Sequence, residues 1–105
     1  MLRIYPVIVE MLRGLAPVMR EIERRDADLA RQMRRASASV ALNVGEGMGS
    51  FDGNKRLRYR SALGSMRETA TCVDVAVAMG YLGEIDGDLA KRMHAVTGTL
   101  VRLAT

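Results

Sequence analysis

Tryptophan is absent and phenylalanine occurs once, so aromatic residues make up only 4% of this 105-residue chain. That scarcity excludes a nucleic-acid surface built on rows of stacked bases, because stacking needs aromatic faces. A single cysteine, Cys72, excludes an internal disulfide, and its apolar helical setting reads as a small buried hydrophobe. The only histidine is His94, with Lys91 where a di-metal carboxylate bundle would need a glutamate three residues earlier. His94 therefore reads as a surface-facing helix residue beside core Met93, and neither a metal nor another cofactor is expected. No stretch approaches the ~20 consecutive apolar residues of a membrane span. The opening Met1-Leu2-Arg3 leads into an amphipathic segment broken by Glu10 and Arg13, which is no signal peptide. The expected location is the cytoplasm, without membrane association.

What is present is helical. Eight methionines and many Leu and Ala favour helices, because unbranched side chains lose little rotamer freedom there. The length suits one domain, residues 1–105, with a single core. Four apolar stripes at helical spacing follow one another. The first, Ile8, Met11, Leu15, Val18 and Ile22, belongs to a helix starting near Tyr5, which Pro17 should kink near Arg13 and Gly14. Asp26 is the expected N-cap of the second helix, whose seam is Leu29, Met33, Ala36, Val40 and Val44. The stretch Gly47–Asn54 carries three glycines and reads as a loop. A long third helix follows with Tyr59, Leu63, Met66, Ala70, Val73 and Val77, ending at Met79-Gly80 with Gly80 as C-cap. Asp86 caps a fourth bearing Leu89, Met93, Val96, Leu100 and Leu103. No strand alternation competes. Short connections make consecutive helices antiparallel, so the expected fold is all-α, an up-down-up-down four-helix bundle.

Charge is unevenly spread. Between Arg31 and Arg67 stand eight basic residues and two acidic ones, whereas the rest holds eight basic and ten acidic. A concentrated positive field attracts phosphate, and Arg31, Arg34, Arg35, Lys55, Arg56, Arg58 and Arg60 are the candidate nucleic-acid contacts. A solvated surface in an Arg-rich composition accounts for the run equally well, since fourteen of the sixteen basic residues are Arg.

Two polar stripes accompany the apolar ones. Helical spacing puts Ser39, Asn43 and Glu46 on one face of the second helix, and Ser61, Ser65, Glu68 and Cys72 on one face of the third. Burying such groups without partners costs about 1–3 kcal/mol each, so they must satisfy one another or meet a ligand. The favoured reading is structural: Ser39, Asn43, Glu46, Ser65 and Glu68 form a network across the two helices, with Arg34, Arg35 or Arg67 pairing the carboxylates. Glu46 and Glu68 could approach each other there, but two carboxylates without histidine make a poor transition-metal site. The serines lack a strained elbow or oxyanion nest, Cys72 lacks an imidazole partner, and Gly45-Glu46-Gly47-Met48-Gly49 lacks the Lys-Ser/Thr of a phosphate loop. No catalytic residue is assigned, and the chain is not expected to be an enzyme.

The order Arg34-Arg35-Ala36, Ser39, Asn43-Val44-Gly45-Glu46-Gly47, Gly64-Ser65, Glu68 and Gly80-Tyr81-Leu82 resembles the four-helix bundle proteins named for intervening sequences of 23S ribosomal RNA genes. That family is similar to the accessory variability determinant of diversity-generating retroelements. The chain departs from the family pattern at Gly45, where Ala is usual, and at Tyr59 and Thr69, where Leu is usual. The resemblance implies a ring-shaped homo-oligomer, typically a pentamer, with RNA or DNA and a reverse transcriptase as possible partners. Apolar residues off the main seams, Leu12, Leu42, Val75 and Val101, suit an interface. The resulting expectation is a non-enzymatic oligomer that binds backbone phosphates or serves a nucleic-acid enzyme as adaptor. The other reading is a structural oligomer or protein-interaction scaffold with no nucleic-acid role.

Overall fold

A computed structural model describes residues 2–105 as four helices: α1 (Ile4–Glu23), α2 (Ala27–Met48), α3 (Asp52–Ala78) and α4 (Gly87–Ala104). Helix α1 packs against α2 and α4, and α3 packs against the same two, which closes an antiparallel bundle. Its long dimension is 42 Å, about the ~40 Å that 27 residues of α3 span at 1.5 Å per residue. Among the described residues there is no strand, and no helix is long and apolar enough to cross a membrane.

Each helix is fixed at its ends by local chemistry. Asp26 is the N-cap of α2, its Oδ1 accepting from the Leu29 N–H at 2.9 Å. Asp86 does the same for α4, accepting from the N–H groups of Asp88 and Leu89. Helix α3 ends in a Schellman turn: Gly80 stands at φ +79°, its N–H reaches the Val77 carbonyl, and the Tyr81 N–H reaches Ala76. Helix α1 runs through Pro17 without a break. Pro17 and Arg13 are both exposed, so the carbonyl that loses its donor faces water.

The core holds Ile8, Met11, Leu15, Ile22, Met33, Val40, Val44, Met66, Val96 and Leu100, all fully buried. Several expected core positions shift by one residue. Met19, Ala30 and Ala104 are buried where Val18, Leu29 and Leu103 were expected, and those three are half-buried. In α3 the buried line is Tyr59, Ala62, Met66, Thr69, Val73 and Ala76, so Leu63 and Ala70 are only partly covered and Val77 is 40% exposed. At four of these positions the expected residue is the larger of two neighbours: Leu29, Leu63, Val77 and Leu103 stand beside the buried Ala30, Ala62, Ala76 and Ala104. Close helix packing instead placed the small side chain at the point of nearest approach.

The expected loop from Gly47 to Asn54 shrinks to residues 49–51. Two interactions carry α2 through its glycines. Ser50 closes the end, its Oγ donating to the Glu46 carbonyl at 2.8 Å and its N–H to that of Gly47 at 3.1 Å. Gly47 is itself buried, and a Cβ there would lie 2.5 Å from Cε1 of Tyr59. Glycine at 47 is a packing requirement rather than a helix stop.

Candidate functional site

The seam between α2 and α3 is zipped by short polar side chains. Ser65 Oγ donates to Ser39 Oγ at 2.9 Å, and Asn43 Nδ2 donates to Ser39 Oγ at 3.0 Å and to the Ser39 carbonyl at 2.9 Å. Three of the five expected network residues are thus joined. Thr69, absent from the expected set, lies one turn on and is fully buried, its Oγ1 donating to the Ser65 carbonyl at 2.8 Å. No buried side-chain nitrogen or oxygen among the described residues lacks a partner.

The two carboxylates stand apart from this seam and from each other. Glu46 lies seven residues beyond Ser39 on α2, and Glu68 three residues beyond Ser65 on the antiparallel α3. At 1.5 Å per residue they are about 15 Å apart along the bundle, too far to share an ion. Their partners also differ from those expected: Arg58 pairs with Glu46 at 3.5 Å, and Gln32 Nε2 donates to Glu68 at 3.3 Å. Arg34 instead reaches Glu23 at 2.8 Å and holds that carboxyl below its usual range through hydrogen bond and charge. No three His, Cys, Asp or Glu side chains among the described residues gather as metal ligands. Burial, reinforced by the charge of Glu68, pushes the Cys72 thiol up and keeps it protonated.

The seven candidate phosphate contacts fall into two groups at opposite ends. Arg31, Arg34 and Arg35 lie in the first half of α2, while Lys55, Arg56, Arg58 and Arg60 open the antiparallel α3. Counted from Ser39 and Ser65, Arg35 and Arg56 are separated by about 20 Å along the axis. Neighbours engage four of the seven: Arg31 with Asp28, Arg34 with Glu23, Arg58 with Glu46, and Arg60, whose Nε donates to the Ala104 carbonyl at 3.0 Å. Arg35, Lys55 and Arg56 make no ion pair among the described residues.

Because Arg60 meets the last residue of α4, the two turns of α3 before it overhang the end of that helix. This overhang carries Lys55, Arg56 and Arg58 beside the N-terminal backbone donors of α3. At its free end, as the N-cap of α3, stands Phe51, the chain's only phenylalanine, 85% exposed. Sequence reasoning passed over Phe51. The available signal was a lone aromatic in a glycine-rich turn four residues before a lysine.

A solved structure with a similar fold is that of a Bacteroides thetaiotaomicron protein of unknown function from the S23 ribosomal protein family. It superposes with a TM-score of 0.71 over 96% of this chain and 91% of its own, at 10% identity. That likeness concerns the fold alone. No curated protein matches the chain. The family model described as 23S rRNA-intervening sequence protein matches residues 11–101, from within α1 to within α4, and the chain belongs to that family.

Proposed function

We propose that this protein is a non-enzymatic helical bundle that binds nucleic acid through backbone phosphates, alone or as adaptor for a nucleic-acid enzyme. One observation carries the reading: the overhanging start of α3 presents exposed Arg56 and half-buried Lys55, neither in an ion pair among the described residues, beside an exposed Phe51. Cations on a helix N-terminus attract phosphate, and one exposed ring accepts one stacked base, so recognition is of backbone rather than sequence. Arg58 and Arg60 extend the contact on the same turns. Arg31, Arg34 and Arg35 supply a second line at the far end. Assembly into a homo-oligomer, a pentamer by the family resemblance, repeats the site and turns weak attraction into avid, salt-sensitive binding.

The test is absolute mass by light scattering, with and without a short single-stranded RNA or a DNA duplex, at low and physiological salt. A mass near five subunits that rises with nucleic acid only at low salt supports the reading. Binding indifferent to salt sinks it, and a monomer removes the avidity.

A second reading, a structural oligomer or interaction scaffold, is favoured by Leu42, Phe51 and Leu57, which are 68%, 85% and 58% exposed. Reversing Arg56, Arg58 and Arg60 to Glu separates the two readings. It abolishes nucleic-acid binding in the first and leaves assembly untouched in the second.

A further inference from the structure

The geometry points to a docking groove between α3 and α4 for a cationic amphipathic helix of a partner protein. Two adjoining recesses, of about 340 and 510 Å³, share Val73, Asp74, Ile85 and Ala90 and so form one continuous trough. Val73, Val77, Ile85 and Met93 make an apolar floor, on which Val77 remains 40% exposed. Asp74 and Glu84 line it, both exposed, and neither forms an ion pair among the described residues. His94 also lines it, and no Lys or Arg does.

The charge decides the occupant. The protein is +4 overall, yet the lining of this trough holds two carboxylates and one histidine and no Lys or Arg. An apolar floor flanked by carboxylates matches a helix with apolar residues at i, i+3, i+4 and i+7 and Lys or Arg beside them. From Ala70 to Ala78 the lining follows α3 for about 12 Å, the length of two successive turns of a guest helix. Steric access is open, because the groove lies toward the C-terminal end of α3, away from the cationic overhang at its start. The two surfaces can therefore be occupied together. The groove stands independently of phosphate binding, and either proposal can fail alone.

The test titrates the full chain into a fluorescein-labelled Leu/Lys amphipathic peptide of about 18 residues, followed by anisotropy. A Leu/Glu peptide with the same apolar face is the control. The lysine peptide should bind, although protein and peptide are both net positive, and the glutamate peptide should not. The double variant Asp74→Lys/Glu84→Lys changes two exposed residues and should keep its helical circular dichroism. It should weaken binding about tenfold, as two attractive rim contacts become repulsive, and Val77→Asp should weaken it further. Equal binding by wild type and the double variant, or an equal loss in the distant control Glu10→Lys, would overturn the proposal. Self-association abolished by the same double variant would overturn it in favour of a second copy of this chain. RNA binding, measured on the same samples, should be unchanged or increased by the double variant.

Discussion

The hydroxyl of Tyr81 donates to Asp26 Oδ2 at 3.3 Å, while Oδ1 of the same carboxylate caps α2 at the Leu29 N–H. One carboxylate thus ties the α1–α2 turn to the α3–α4 turn and closes that end of the bundle. This gives Gly80-Tyr81-Leu82 a structural meaning: the glycine lets the chain turn at positive φ, and the tyrosine that follows reaches the cap. Asp26→Ala should lose both bonds and about 1–2 kcal/mol, while Tyr81→Phe should lose about 0.5–1 kcal/mol. By calorimetry, each kcal/mol should lower Tm by roughly 4–8 °C in a domain of this size. Equal Tm values for the two variants would show that the carboxylate does not serve both turns.

Gly45 and Gly47 lie two residues apart in α2 and should respond in opposite directions to alanine. Nothing lies within 4 Å of a Cβ at Gly45, whereas one at Gly47 would collide with the Tyr59 ring. Gly45→Ala should stabilise by about 0.5–1 kcal/mol through helix propensity. Gly47→Ala should destabilise by about 1–3 kcal/mol through overpacking, and Tyr59→Leu should relieve much of that loss. Denaturant midpoints of the two single variants and of Gly47→Ala/Tyr59→Leu check the coupling.

The Ser39–Ser65 hydrogen bond joins α2 directly to α3 near the middle of their polar seam and is expected to set its register. A double-mutant cycle of Ser39→Ala and Ser65→Ala should give a coupling of about 0.5–1.5 kcal/mol. A coupling near zero would mean that shape alone sets the register.

Much of this seam was legible from helical spacing, because Ser39, Asn43 and Ser65 are the polar residues that periodicity places on facing stripes. Spacing along one helix says nothing of the offset between two. That offset separates Glu46 from Glu68 and gives each a local partner. The same limit divided the basic run: Arg31 and Arg60 belong to one charged stretch of sequence, yet an intervening turn sends them to opposite ends. The capping aspartates and Gly80 were legible because their signals are local. Ala62, Thr69 and Ala76 were not, since small residues are buried by the approach of a neighbouring helix rather than by their own hydrophobicity.

Stability should fall in alkali. Burial raises the Tyr59 hydroxyl and the Cys72 thiol above their ordinary values, and partial burial with Asp26 beside it raises Tyr81. For each group the folded state holds its proton at a pH where the unfolded chain has released it. The contribution is therefore complete below the unfolded pKa and is lost as pH rises through the folded one. Urea midpoints should be level near neutrality and decline from about pH 9, where an unfolded thiol ionises. Cys72→Ala should remove the earliest part of that decline and leave the tyrosine part above about pH 10. The acid side has the opposite sign: Glu23, lowered by Arg34, loses its contribution as pH falls below the ordinary carboxyl range. Arg34→Gln should flatten that limb alone.

The two basic groups offer a direct comparison of position against charge. Lys55→Glu/Arg56→Glu and Arg31→Glu/Arg35→Glu make the same change in net charge at opposite ends of the bundle. If phosphate binds at the overhang of α3, the first pair should weaken RNA binding far more than the second. The slope of log K against log salt should then drop by about one for each lost phosphate contact. Both pairs weakening binding equally would mean that net charge, rather than the overhang, attracts nucleic acid. Phe51→Ala separates a further component, because loss of one stacked base costs about 1–3 kcal/mol while leaving the salt slope unchanged. A fall in affinity at constant slope would place a base on Phe51. A fall in slope alone would restrict recognition to the phosphates.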